Sequence, residues 1–418
     1  MSPHLQIING SILEGGGQIL RNSVSLAALL QKPIRIENIR AGRSQPGLKN
    51  QHRTGLDLVA RIASAQLTGA TNGSTSVEFK PGRIELPGSW KADTVTAGAT
   101  TLLIQIALPL LLFQTPKSAS SSSRPSVLSL LGGTNAEQAP QVDYTQHVFL
   151  PFFRKHFLPP SSTLGQDAAA ATNDIHSKIK LEIRKRGYYP KGGGEINICV
   201  WPLLAGQKLR AVNLVERSRL VTIHGLAHCA GLPRIVGEGM SQGAVKRIQE
   251  WGNKNGLSIA DNGVASAAAV AATAGGETKN PVLMDINVKR EPNGSTKGAG
   301  SGIVLWAEFE NGVVMGGSAV GKKGLDPSQV GKSAAEELIK GIEAGGCVDE
   351  WTQDQIIIFM ALAEGKSQVR CGTKDLTLHT RTAIWVAEQL TEAKFEVKQE
   401  DSGHWTIHCE GTGFSMNG

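Results

Sequence analysis

The stretch Gln18–Leu30, QILRNSVSLAALL, has two later counterparts: Thr100–Phe113, TTLLIQIALPLLLF, and Gln353–Ala363, QDQIIIFMALA. Each is too apolar all round to be a surface helix, so each predicts a helix buried on most of its faces. Each is followed by a second helical segment: Gln51–Ala65, Asp143–Phe153 and His379–Leu390. A β-type stretch precedes each of these, namely Ile34–Ile39, Val127–Leu131 and Ser367–Cys371. Further strand candidates come after them: Ser76–Lys80, Lys178–Ile183, Phe395–Gln399 and Trp405–Cys409. A period of this kind predicts a repeat architecture. The expected fold class is α/β (α+β), with three units of two helices and a small sheet.

Between the second and third units lies Leu203–Asp326, with its own strand candidates (Arg219–Gly225, Val282–Lys289, Gly302–Glu310) and a helix near Ser241–Trp251. The reading is a large domain, 1–202 with 327–418, carrying an inserted α/β domain at 203–326. Two segments of loop composition, 117–126 and 159–178, look like surface additions.

Composition narrows the classes. The chain has 418 residues, 40% of them hydrophobic and 19% charged, enough for a large core and against wholesale disorder. Its net charge of +7 suits a polyanionic partner or an ordinary basic protein. Aromatic residues are only 5%, against a stacking platform for nucleic acid as the main device. The five Cys are scattered without a Cys-x-x-Cys pair, against a zinc site or disulfide framework. The 14 residues of Thr100–Phe113, interrupted by Gln105 and Pro109, are short for a membrane span. No signal region precedes them, and the expectation is a soluble intracellular protein with no membrane partner.

Four segments could carry chemistry. GSILEGGGQILR (10–21) sets three Gly ahead of a helix, either a tight turn or a cradle of amides for an anion. Glu14 could hold a metal or a ribose hydroxyl, and Arg21 could reach a phosphate. IRAGRSQPGLKNQHR (39–53) gathers basic side chains before another helix, which favours phosphate clamping over a solvated loop. RKRGYYPKGGGE (184–195) reads equally as an RNA contact or as a hairpin turn covered by Tyr. In LTLHTRTAI (376–384), His379 opens a helix as a cap, a surface group or a nucleophile.

Taken together, GSILEGGGQILR, IRAGRSQPGL with the following Gln51-His52, GGTNAEQAP (132–140), RGYYPKGGGE (186–195), VDEWTQDQ (348–355) and TLHTRTAI (377–384) resemble the RNA 3′-terminal phosphate cyclase family, in its active branch. The resemblance runs over essentially the whole chain. It implies ATP-dependent conversion of an RNA 3′-phosphate into a 2′,3′-cyclic phosphodiester, through a covalent histidine–AMP and an adenylylated RNA end. By motif it implies His379 as the nucleophile. Gln105, Pro140, Trp351, Asp354 and Gln355 fall at nucleotide positions, Trp351 where relatives commonly carry Tyr. Glu14 is implied for metal or nucleotide positioning. Arg21, Arg40, Arg43, Gln51 and His52 are implied for the triphosphate and RNA phosphates. The cofactors implied are ATP and a divalent metal, Mg²⁺ or Mn²⁺. The partner implied is RNA with a 3′-phosphate, and the location a nucleus. The competing readings are a non-catalytic relative acting in pre-rRNA processing and an enolpyruvyl-type transferase of shared architecture; the His379 segment argues against the first and the basic balance against the second.

Overall fold

The computed structural model describes residues 4–113, 124–160, 178–261 and 281–416. Most of the two loop-like additions, 117–123 and 161–177, and the Gly/Ala-rich stretch 263–276 lie outside the described residues.

Unit one runs β1 (Gln6–Asn9), α1 (Gly17–Leu30), β2 (Ile34–Glu37), α2 (Asn50–Ile62), β3 (Gln66–Thr68) and β4 (Val77–Lys80). Its sheet order is β1-β2-β4-β3, with β1 and β2 parallel and the other pairs antiparallel. Unit two repeats this with β5 (Ser89–Asp93), α3 (Thr100–Leu111) and β6 (Ser126–Gly132). Its second helix, α4, starts at Val142–Tyr144, passes through a π turn at Thr145–Phe149 and ends as Leu150–His156. Strands β7 (Ile179–Lys185) and β8 (Gly194–Val200) complete the order β5-β6-β8-β7, again with only the first pair parallel.

The third unit opens with a two-residue strand, β9 (Asn213–Leu214), and resumes far along the chain. In between come β10 (Leu220–Ala230), α5 (Arg234–Lys254), β11 (Ile259–Asp261), β12 (Val282–Arg290), β13 (Gly300–Phe309), β14 (Val314–Val320) and α6 (Pro327–Glu343). These five strands form one sheet, β11-β12-β10-β13-β14, on which α5 and α6 pack. Unit three then continues through α7 (Glu350–Gln355), α8 (Ile357–Leu362), β15 (Glu364–Gly372), α9 (Leu378–Leu390), β16 (Lys394–Gln399) and β17 (Trp405–Thr412). Its sheet order, β9-β15-β17-β16, with β9 parallel to β15, repeats that of the other two units. The chain is therefore three βαβαββ units with a five-stranded α/β body set into the third.

Two elements lie across the ends of 203–326. Strand β9 pairs with β15 and belongs to the third sheet. Helix α6, past residue 326, packs on α5 so closely that a Cβ on Gly331 would stand 1.8 Å from the Met240 carbonyl oxygen. The first strand of every unit, β1, β5 and β9, lacks a sequence signal because each is a short edge strand with at least half of its residues not fully buried.

Helix α1 is buried from Gln18 to Leu29 except at Arg21, and packs against α2, α3 and α9. Burying apolar side chains at about 25 cal/mol per Å² makes this the main cohesive term among the units. No helix among the described residues is long and apolar enough to cross a membrane.

RKRGYYPKGGGE ties the second unit to the five-stranded sheet. Arg186 is buried and donates to both Asp143 oxygens at 2.6 and 2.8 Å and to Glu291 at 2.8 Å. Tyr188, also buried, meets His228 Nδ1 of β10 at 2.8 Å. Burial, with Arg186 nearby, holds His228 down to about 3, so its ring is neutral. An RNA contact through Arg186 or Tyr188 is thereby excluded; of the two tyrosines only Tyr189 is exposed.

Candidate functional site

The site grows out of helix N-termini. At the first, Gly15 adopts φ +57°, a left-handed turn that glycine takes without strain. A Cβ on Gly16, the residue before α1, would lie 2.1 Å from a Glu14 carboxylate oxygen. One on Gly17 would lie 2.9 Å from Arg21 Nη1 and 3.0 Å from His52 Nε2. The triple glycine thus lets a carboxylate, a guanidinium and an imidazole crowd onto one turn of backbone.

Glu14 is held from three sides. Its amide donates to the Thr382 hydroxyl at 3.1 Å, docking unit one onto α9. Arg43 donates to its carbonyl at 3.0 Å and pairs with its carboxylate Oε1. The other oxygen, Oε2, is buried with no hydrogen-bond partner. Arg21 bonds to Gln18 Oε1, while its Nε is buried without a partner. Burial lowers the Arg21 pKa, and the charges of Asp354 and Glu14 act against that. The three side chains therefore belong to one electrostatic cluster.

His379 stands in the first turn of α9, after Thr377, whose hydroxyl caps the helix by accepting from the Thr380 amide at 3.1 Å. Thr380 in turn donates to Gln353 Oε1 at 2.8 Å, fixing this turn against α7. The His379 ring is exposed and makes no hydrogen bond. Partial burial lowers its pKa; Glu14 raises it, and Arg21 and Arg43 lower it further. A neutral imidazole with an open face is the form that can act as a nucleophile.

His52 accepts the Lys49 amide on Nδ1 at 3.2 Å. Burial, then the charges of Arg21, Arg40 and Lys49, hold it down to about 3, so it too is neutral. Arg40 donates to the carbonyls of Gln45 (2.7 Å) and Gly47 (2.9 Å), closing its own loop. Gln51 Oε1 accepts the Ala99 amide at 2.9 Å and caps α3. Gln105 is one turn into α3, half-buried and without a hydrogen bond. Pro140 is buried against the same helix, its carbonyl accepting from the Thr101 hydroxyl at 2.8 Å.

Helix α7 supplies the remaining residues. Asp354 faces Arg21; burial pushes it up to about 7, Arg21 opposing and Asp349 reinforcing the shift. Its Oδ1 is buried and unpartnered. Gln355 donates to the Trp351 carbonyl at 2.7 Å, turning its amide back onto its own helix. Trp351 donates from Nε1 to Glu337 Oε1 of α6 at 2.6 Å. It lines a cleft in which Lys340 and Lys374 are outnumbered by the carboxylates of Glu337, Asp349, Glu350 and Asp375, and which reaches Thr377, the residue that caps α9. The cleft therefore leads from the indole to the turn that carries His379.

The sequence reading missed Thr382, which lies inside the quoted 377–384 motif, and Glu337, which sits in a helix with no distinguishing signal. It also missed Asp349, which caps α7 by accepting from the Thr352 amide at 2.8 Å and receives the Tyr144 hydroxyl at 2.5 Å.

Helix N-termini of the first and third units thus bring Glu14, Arg21 and Arg43 within electrostatic reach of the exposed His379 ring. The chain belongs to the RNA 3′-terminal phosphate cyclase family, whose model matches residues 12–397. It is 37% identical to the RNA 3′-terminal phosphate cyclase of Drosophila melanogaster over 97% of this chain and 96% of that one. Identity is 37% to a probable RNA 3′-terminal phosphate cyclase of Dictyostelium discoideum, covering 97% and 83% of the two chains. It is 35% to the RNA 3′-terminal phosphate cyclase of Pyrobaculum neutrophilum, covering 97% and 99%.

Proposed function

We propose that this protein converts an RNA 3′-terminal phosphate into a 2′,3′-cyclic phosphodiester at the expense of ATP, with His379 as the covalent nucleophile. The observation that carries this reading is the His379 ring, exposed and unbonded, beside Arg21 and Arg43.

A neutral ring nitrogen of His379 attacks the α-phosphorus of ATP. The bond to the β-phosphate oxygen breaks, pyrophosphate leaves, and the ring's remaining proton can be released. An oxygen of the RNA 3′-phosphate then attacks the same phosphorus, breaking the P–N bond and restoring the histidine. The RNA end now carries a good leaving group. Its 2′-hydroxyl attacks the 3′-phosphorus, loses its proton, and expels AMP as the ring closes. Charge builds on the transferred phosphoryl oxygens in each step, and fixed guanidinium groups stabilise it. We assign that task to Arg21 and Arg43, with the amides at the start of α1 and α9. Trp351 offers a ring face for adenine, and Gln105 an unspent amide.

Among the described residues no three His, Cys, Asp or Glu side chains form a metal cage. The unpartnered Glu14 Oε2 still suits an ion that takes one or two carboxylates and completes its shell with phosphates and water. Glu14 would hold such an ion, which when bound screens the phosphate charges. Arg43 and the Thr382 hydroxyl keep Glu14 in place for it.

The test is to incubate the protein with α-labelled ATP and a divalent metal and to denature it. Label that is acid-labile, alkali-stable and absent from His379→Ala is expected. The exposed ring should cost no more than about 1 kcal/mol of stability on removal. A His379→Ala protein that still cyclised RNA ends at the normal rate would sink the assignment.

A further inference from the structure

A groove of about 780 Å³ runs between α2 and β5, outside the site just described. Arg53, Asp57 and Arg61 of α2 face Lys91 and Asp93 of β5 across a floor that includes Leu67.

The groove begins where the site ends. His52 and Arg53 are consecutive in the first turn of α2, and consecutive helical residues point about 100° apart. His52 faces the Gly17 turn, and Arg53 faces the groove. On the opposite wall, β5 leads within a few residues to Ala99, whose amide Gln51 caps.

The cations of the groove are largely unspent. The Lys91 side chain has no hydrogen bond or ion pair. Arg61 donates only to the Asp57 carbonyl, at 3.4 Å. Arg53 comes no nearer to Asp57 than 4.0 Å, and its Nε has no hydrogen-bond partner. One of the two carboxylates is already engaged, since Asp93 Oδ1 accepts the Val95 amide at 2.7 Å. No aromatic ring lines the groove, so it offers donors for phosphate and no surface for base stacking.

We propose that this groove carries the ribose-phosphate backbone of the nucleotides preceding the RNA 3′ end, gripped by Arg53, Arg61 and Lys91 without reading the bases. The proposal rests on the cyclase reading, because it needs a strand whose 3′ end lies near His379.

The test compares the double variant Arg61→Ala/Lys91→Ala with the parent on two substrates: a dinucleotide and an RNA of about 12 nucleotides, both 3′-phosphorylated. For the long RNA, KM should rise about tenfold, and the dependence of log affinity on log salt should flatten by about 1.4, at about 0.7 per phosphate contact. The dinucleotide KM, the labelling by ATP and the indifference to base sequence should not change. An unchanged KM and salt slope on the long RNA would overturn the proposal. If the parent takes no label from ATP, the cyclase reading fails by itself. Fluorescence anisotropy of the long RNA without ATP then decides the groove: weaker binding by the double variant supports it, and equal binding rejects it.

Discussion

Asp354→Asn should change how stability depends on pH. The Asp354 carboxyl feels the opposed charges of Arg21 and Asp349, and its Oδ1 is buried and unpartnered. Burial moves its pKa from 3.8 to about 7, so the folded protein binds this proton more tightly than the unfolded chain does. A raised carboxyl pKa means stability that is fully present below about pH 4 and is lost as pH rises through about 7. Three pKa units correspond to about 4 kcal/mol over the full window, of which about 2.5 kcal/mol falls between pH 5 and 8. The asparagine variant has no such proton, and its pH-independent cost cancels when slopes are compared. Urea unfolding of both proteins from pH 5 to 8 at constant ionic strength measures the difference. The parent should lose about 2.5 kcal/mol more than the variant over that range, most of it below pH 7. Parallel curves would refute the burial argument. Near neutrality the Asp354 carboxyl is then in part protonated, and its pull on the Arg21 charge is reduced.

Three other outcomes follow from the same geometry. In Gly16→Ala, the new methyl would lie 2.1 Å from the Glu14 carboxylate and force it off Arg43; a displacement near 1 Å should cost about a hundredfold in labelling by ATP, with circular dichroism unchanged. Arg186→Leu leaves Asp143 charged and buried without its bidentate partner, and chemical denaturation should show a loss of about 3–5 kcal/mol. Trp351→Phe keeps a ring over the cleft but strips the hydrogen bond from Glu337 Oε1. Stability should fall by about 1–3 kcal/mol while the affinity for ATP, measured by calorimetry, changes little.

The repeat was legible because burial writes a strong pattern. Helices α1, α3 and α8 sit inside the core, so they read as apolar runs, and α2, α4 and α9 follow them in turn. The opening strands β1, β5 and β9 were not legible. They are short, partly exposed edges whose partners come later in the chain, and β9 is separated from β15 by the whole five-stranded body. Ownership of α6 was hidden for a similar reason: its packing on α5 depends on small residues that meet only in three dimensions.

The site divides along the same line. Local sequence determined which residue types were available: the glycines that admit Glu14 and Arg21, the Arg40–Arg43 loop, and a histidine at a helix start. Resemblance of six separated motifs determined the family. Tertiary structure alone decided which of these groups meet. Glu14 reaches Thr382 across 368 residues and Tyr144 reaches Asp349 across 205, contacts that no window of sequence contains. It also decided what each polar group is spent on. Arg186 and Tyr188 went into a buried joint, and Gln51 into a helix cap. The physical reason is that a charge or hydrogen-bonding group takes its role from its dielectric surroundings and nearest partner. Both are fixed only when separate units pack.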